Sequence, residues 1–172
     1  MKRIHYFSCI KAVATLLATA CLLFFSGCRQ SPKEPPKTSD FTCNITAQCG
    51  DLTVKGTLSR PTPAELTLTL SEPATLNGLT FHFNGTELAA EWHGLSIPLN
   101  REELPSTALT EGLITALESA DTLTEHTVTE AGLVTEGTAK NHAFSLLSDP
   151  ETGALRQLNI PSLDLYVTFG EK

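Results

Sequence analysis

A chain of 172 residues with 41% apolar residues is sized for one globular domain once a targeting segment is set aside. Its 19 acidic residues outnumber the 12 Lys and Arg, for a formal net charge of −7. Residues 102–136 carry eight carboxylates and no Lys or Arg, a distribution that repels phosphates and so excludes nucleic acid as a partner.

Lys2, Arg3 and Lys11 precede an apolar run from Ala12 to Phe25, which reads as the positive and apolar regions of a secretory signal. At about 1.5 Å per residue the run covers roughly 21 Å, well short of the roughly 30 Å hydrocarbon core, so a permanent span is disfavoured. Ser26-Gly27-Cys28 at its end resembles a bacterial lipobox, in which the cysteine thiol is diacylglycerylated and becomes the new N-terminus; Phe25 stands where Leu is usual. The expectation is a signal peptide over residues 1–27 and a membrane anchor through lipidated Cys28. The domain would then be held on the extracytoplasmic face of the cell membrane or outer membrane. Cleavage removes three positive charges, so the formal charge of −7 becomes −10.

Residues 28–40, with Pro32, Pro35 and Pro36 among polar residues, read as a semi-rigid tether reaching up to roughly 35 Å. The domain proper is expected over residues 41–172. Phe41, Cys43, Ile45 and Ala47 alternate with polar residues as in a half-buried strand, and Leu52 to Leu58 continue the alternation after a turn at Gly50-Asp51. Arg60-Pro61 is expected to close that strand, because proline donates no ladder hydrogen bond. Cys43 and Cys49 on one extended strand would lie about 20 Å apart, against about 4.4–6.8 Å for bridged Cα atoms. No disulfide between them is expected.

Leu66, Leu68 and Leu70 form the apolar side of a third strand, and Leu79, Phe81 and Phe83 that of a fourth. Asn84-Gly85 predicts a two-residue hairpin turn that would place Phe83 opposite Thr86 and Phe81 opposite Leu88. Leu88, Ala90 and Trp92 follow, then Leu95, Ile97 and Leu99. The period changes only once: Leu109, Leu113 and Leu117 recur at helical spacing, predicting one amphipathic helix over residues 106–120, with Asn100 and Glu103 as a capping box. Gly112 within it suggests close packing. Weaker strands over residues 123–129, 133–138 and 143–147, then a closing hairpin of residues 155–160 and 163–169, bring the count to about eleven. The pattern predicts a mainly β fold: one curved antiparallel sheet, an incomplete barrel, with the helix covering its concave face.

No catalytic constellation emerges. Gly94-Leu95-Ser96-Ile97-Pro98 has proline where a nucleophile elbow needs its second glycine. His82, His93, His126 and His142 are never three or four residues apart and no cysteine pair accompanies them, so neither a metal nor another cofactor is expected. The chain reads as a non-enzyme.

The order of features resembles the bacterial lipoprotein-carrier fold shared by LolA, LolB and RseB. The resemblance rests on Gly56-Thr57-Leu58-Ser59-Arg60-Pro61, on Pro73, Leu76 and Gly78-Leu79, on Asn84-Gly85 with Leu88, and on residues 149–153 with the Leu165-Val167-Phe169 ending. It implies an eleven-stranded half-barrel whose concavity holds acyl chains under a helical lid. By position, Arg60 would take the role of the arginine that controls the lid. A solvated strand end is the alternative for that residue.

Two functions follow as expectations. One is a membrane-anchored binding module for acyl chains, lipoproteins or another apolar ligand, lined by Leu66, Leu68, Leu70, Phe81, Phe83, Leu88 and Trp92 with Arg60, and lidded by Leu109, Leu113 and Leu117. The other is a cell-envelope interaction or sensor module whose concavity is filled by Leu113, Ile114 and Leu117, leaving no cavity.

Overall fold

Period-two alternation dominates the chain after residue 40, and the structure, a computed structural model describing residues 33–104 and 109–170, turns it into eleven strands and one α-helix among those residues. The expected signal peptide, Cys28 and the start of the tether lie outside the described residues. The strands are β1 (Phe41–Cys49), β2 (Leu52–Thr62), β3 (Glu65–Glu72), β4 (Thr80–Phe83), β5 (Leu88–Trp92) and β6 (Leu95–Leu99) before helix α1 (Leu109–Ala120). After it come β7 (Thr127–Val128), β8 (Leu133–Ala139), β9 (His142–Ser148), β10 (Leu155–Ile160) and β11 (Leu165–Gly170).

All eleven join one antiparallel sheet in the order β6-β5-β4-β3-β2-β1-β11-β10-β9-β8-β7, with β6 and β7 as open edges. The fold class is the one that the alternation predicts. Thr42, Asn44, Thr57 and Thr67 face outward, and hydroxyl pairs such as Thr42–Ser59 (2.9 Å) and Thr69–Thr80 (3.1 Å) cross the outer face between neighbouring strands. The inner face supplies Ile45, Ala47, Val54, Leu58, Leu66, Leu68, Leu146, Leu158 and Val167, all buried. Helix α1 seats Leu113, Ile114 and Leu117 among them, and each such side chain contributes about 1.5–3 kcal/mol by leaving water. Gly112 lets the helix approach: a Cβ there would meet Leu165 Cδ2 at 2.6 Å.

Four local expectations change. Strand β2 runs past Arg60 to Thr62, because the β2–β3 register shifts between Ser59 and Thr62; Pro61 sits in that irregularity, where no ladder donor is required. The β4–β5 register pairs Phe83 with Leu88 and Phe81 with Ala90, not Thr86 and Leu88. The connection is therefore a four-residue loop. Its cause is the Asn84 side chain, whose Oδ1 accepts the backbone N–H groups of Thr86 (3.1 Å) and Glu87 (2.8 Å) and holds both inside the loop. Asn100 and Glu103 do bond to each other (2.9 Å), but they close a turn at residues 101–104, and the described helix starts later, at Leu109.

The fourth change concerns the tether. Its second half is part of the domain: the Glu34 N–H donates to the Pro150 carbonyl (3.1 Å) and the Lys37 N–H to the Gly153 carbonyl (2.8 Å). A Cβ on Gly153 would stand 2.4 Å from the Pro35 carbonyl oxygen. Lys33–Lys172 forms a compact unit of its own, so the spacer that the composition suggests is shorter than residues 28–40.

Candidate functional site

Because β1 to β6 present apolar side chains inward at every second residue, the concave face is longer than a 12-residue helix can cover. Helix α1 fills its middle. Leu66, Leu68, Phe83 and Leu88, expected as ligand-binding residues, are instead core, as are Leu113 and Leu117 of the expected lid. Beside the first described turn of α1 an apolar cavity of about 410 Å³ remains among the described residues. None of those core side chains lines it.

The cavity's lining is Leu52 and Val54 from β2, Leu70 from β3, Phe81 and Ala90 from β4 and β5, Leu99 from β6, Leu104 from the β6–α1 connection, Leu109 from α1, and Leu76 and Leu79 from the β3–β4 connection. Thr110 brings the one polar side chain. A volume of this size lies within the range of small-ligand sites, and walls of this composition select apolar ligands. Of the expected residues, Leu70, Phe81 and Leu109 line it. Leu52, Val54, Leu79, Ala90 and Leu99 were marked as inward by the alternation but not as lining, because a period tells the face and not whether the helix covers it; Leu76 and Leu104 sit in connections where no period marks a face.

Trp92 is not a lining residue. It is 45% exposed, its indole N–H points to the Asn77 carbonyl (3.4 Å), and its ring lies tilted against His93 at 4.6 Å. Asn77 follows Leu76, and Trp92 stands two residues beyond Ala90 on the same side of β5, so the indole marks the rim. Beyond it Leu95 and Ile97 are 71% and 59% exposed on edge strand β6. The apolar tract thus continues from the cavity onto an open shelf.

Two ionic networks hold the helix. At its C-terminal end Arg60, 1% exposed, donates to both carboxylate oxygens of Asp121 (2.9 and 2.7 Å), to the Pro63 carbonyl (2.7 Å) and to the Thr38 carbonyl. The solvated strand end is thereby ruled out for Arg60: the guanidinium joins β2, the helix end and the segment before β1. Near the first turn, Glu111 is buried and receives Arg101 Nε (2.9 Å), Arg101 Nη2 (3.2 Å) and Lys140 Nζ (2.8 Å). Arg101 also reaches Glu118 (3.2 Å) and lies over the Phe83 ring at 4.7 Å. Burial raises the Glu111 pKa, but the hydrogen bonds from Arg101 and Lys140 outweigh it and hold the carboxyl below its usual range. This network ties Arg101, three residues before the wall residue Leu104, to the helix.

A wider polar hollow of about 610 Å³ shares Leu99 with the cavity and is lined by Glu87, Arg101, Glu102, Glu111 and Lys140. Among the described residues no group of His, Cys, Asp and Glu could hold a metal ion.

No family model and no curated protein matches the chain. Several solved structures are similar, two of which follow. One is an uncharacterised conserved protein of Thermus thermophilus, at 10% identity over 74% of each chain, with a TM-score of 0.42. The other is a LolA superfamily protein of Nitrosomonas europaea, at 13% identity over 72% of this chain and 64% of that one, with a TM-score of 0.37.

Proposed function

We propose that the chain is a binding module rather than an enzyme, that it takes an apolar ligand at the end of the concave face, and that lipidated Cys28 displays it on the extracytoplasmic side of a membrane. The observation that supports this is the cavity of about 410 Å³ walled by ten apolar residues and Thr110. Leaving such a surface to water costs about 25 cal/mol per Å², which an apolar ligand would recover. An acyl chain is the simplest occupant.

The test uses residues 33–172 and the emission of Trp92, the single tryptophan. Titration with an uncharged alkyl glycoside below its micelle concentration should give a saturable, one-to-one change, lost in Ala90→Phe, which fills the cavity. A folded domain that shows no saturation defeats the proposal. The second reading, an interaction module, is favoured by one observation: the exposed shelf of Trp92, Leu95 and Ile97. It would gain from a protein partner that Leu95→Lys releases while alkyl binding persists.

A further inference from the structure

We propose that the β5–β6 hairpin seats in the headgroup region of a neutral bilayer, with Trp92, Leu95 and Ile97 as the inserted side chains. The inference rests on the membrane display proposed above, but it does not require the cavity to be occupied. The register gathers the three side chains. Trp92 pairs with Leu95 and Ala90 with Ile97, and paired residues of an antiparallel ladder share a face. His93 and Gly94 close the turn between them, so the tip is narrow, and β6 is an open edge of the sheet. Leu95 and Ile97 are the most exposed large apolar side chains among the described residues. Ala90 and Leu99 belong to the cavity wall, so the hairpin's apolar face continues directly into the cavity.

Charge and area select a bilayer as the occupant. Residues 73–86 and 92–100 hold none of the chain's 19 acidic residues and none of its 12 Lys and Arg. The two stretches are neighbours, since the Trp92 indole N–H points to the Asn77 carbonyl (3.4 Å). Glu91, between Ala90 and Trp92, alternates to the opposite face, where His82 stands 3.6 Å away. Asp51 follows β1 and precedes β2, which lies three strands from β5, about 14 Å along the sheet. The tip can therefore leave water without burying a charge. Trp92 suits the interface, where an apolar ring with one N–H donor finds both of its solvents. The three side chains expose about 350 Å² between them, less than half of the roughly 800 Å² per partner that a stable protein interface buries. A bilayer needs no such complementary surface. Proximity comes from the anchor: Cys28 precedes Lys33 by five residues, which reach at most about 18 Å, so a lipidated Cys28 holds the domain at the bilayer.

The test floats residues 33–172, which lack the anchor, with phosphatidylcholine vesicles at millimolar lipid. The domain should co-float, and Trp92 emission should shift to the blue. A nitroxide placed near the lipid headgroup should quench it more than one near the chain end. Leu95→Thr with Ile97→Thr keeps strand-forming residues at exposed positions, so the double variant should unfold at the parent's urea midpoint and lose co-flotation by about tenfold or more. Phosphatidylglycerol mixed into the vesicles should weaken binding by this acidic domain, and salt should relieve the weakening. Absence of co-flotation overturns the inference, as does co-flotation that the double variant retains. Trp92 left unquenched in the bound state overturns it too, since another surface would then hold the lipid. Self-association of the parent that the double variant abolishes would give the hairpin to a second copy and overturn it likewise. Ala90→Phe, which fills the cavity, should leave co-flotation unchanged; its loss there would mean that the cavity and not the hairpin captures lipid. Co-flotation without saturable alkyl glycoside binding defeats the binding module and leaves this inference standing, and the reverse result does the opposite.

Discussion

Arg60 and Asp121 meet fork to fork, with both guanidinium Nη atoms on both carboxylate oxygens at 2.9 and 2.7 Å, although 61 residues separate them in sequence. The geometry is bidentate, the strongest form of this pair. The arginine side chain is 2% exposed and the aspartate 20%, so the two partners are unequal. Removing Asp121 strands a buried cation, whereas removing Arg60 leaves a carboxylate that water can reach. Asp121→Ala is expected to cost about 3–5 kcal/mol, as for a buried pair broken from one side. Arg60→Met should cost less in urea unfolding, but it also frees the Thr38 carbonyl. Faster proteolysis within residues 33–40, beyond what that smaller loss of stability explains, would be its distinctive mark. Equal costs with no change in cleavage would show that Arg60 does not hold that segment.

Glu111 makes stability depend on acid. Its folded pKa is depressed, so it contributes stability that is present above the unfolded value, about 4.3, and is lost as pH falls through the lower folded value. Unfolding midpoints should therefore drop between about pH 5 and pH 3. Asp149, held down by backbone N–H groups of Thr152 and Glu151, adds to the same slope. Glu111→Gln keeps the shape but not the charge, so the variant should be less stable at pH 7 and show a flatter decline. Parallel curves for the two proteins would remove Glu111 from the account.

The sheet was legible because period two needs only one buried face: Leu66, Leu68 and Leu70 announce β3 and its direction at once. Helix α1 was legible for the same reason at a different period. What stayed hidden depends on where side chains meet across the fold. Nothing in the sequence brings Asp121 to Arg60, and Lys140 and Arg101 reach Glu111 only because the β8–β9 turn and the β6–α1 connection converge on the helix. The cavity was hidden likewise, since its residues come from five strands, two connections and the first turn of α1, and the local pattern of Leu66, Phe83 and Leu88 is the same whether they line a space or fill it. Trp92 misled for a related reason: its alternation placed it correctly on the inner face, but the helix does not extend that far.

Strand β6 should resist edge pairing because of Pro98. His93 and Gly94 have φ of 50° and 80°, and Trp92 pairs with Leu95, so the β5–β6 turn is a two-residue hairpin of the primed kind. In that register Leu95, Ile97 and Leu99 bond inward to β5, and Ser96 and Pro98 turn their backbone outward. Proline then removes one of the two outward donors. Pro98→Thr restores it on a strand whose Leu95 and Ile97 are already exposed. The variant should associate at concentrations where the parent does not, seen by light scattering, and Leu95→Lys on top of it should reverse the change. An unaltered scattering profile would mean that the edge is protected by something other than proline.

Cys43 offers a kinetic check on the inner face. Burial among Phe41, Leu155 and Phe169 raises its thiol to about 11. Only the thiolate reacts, so at pH 8 about one part in a thousand is competent, against roughly a quarter for a thiol of pKa near 8.5. Alkylation of residues 33–172 carrying Cys49→Ser should therefore run about two orders of magnitude slower than that of a small-molecule thiol. It should also keep rising about tenfold per pH unit past pH 9, where an ordinary thiol levels off. The sign follows from desolvation, which penalises the charged form. A rate that levels near pH 9 would place the thiol in water, and would mean that β1 does not turn Cys43 into the sheet's concave side in solution.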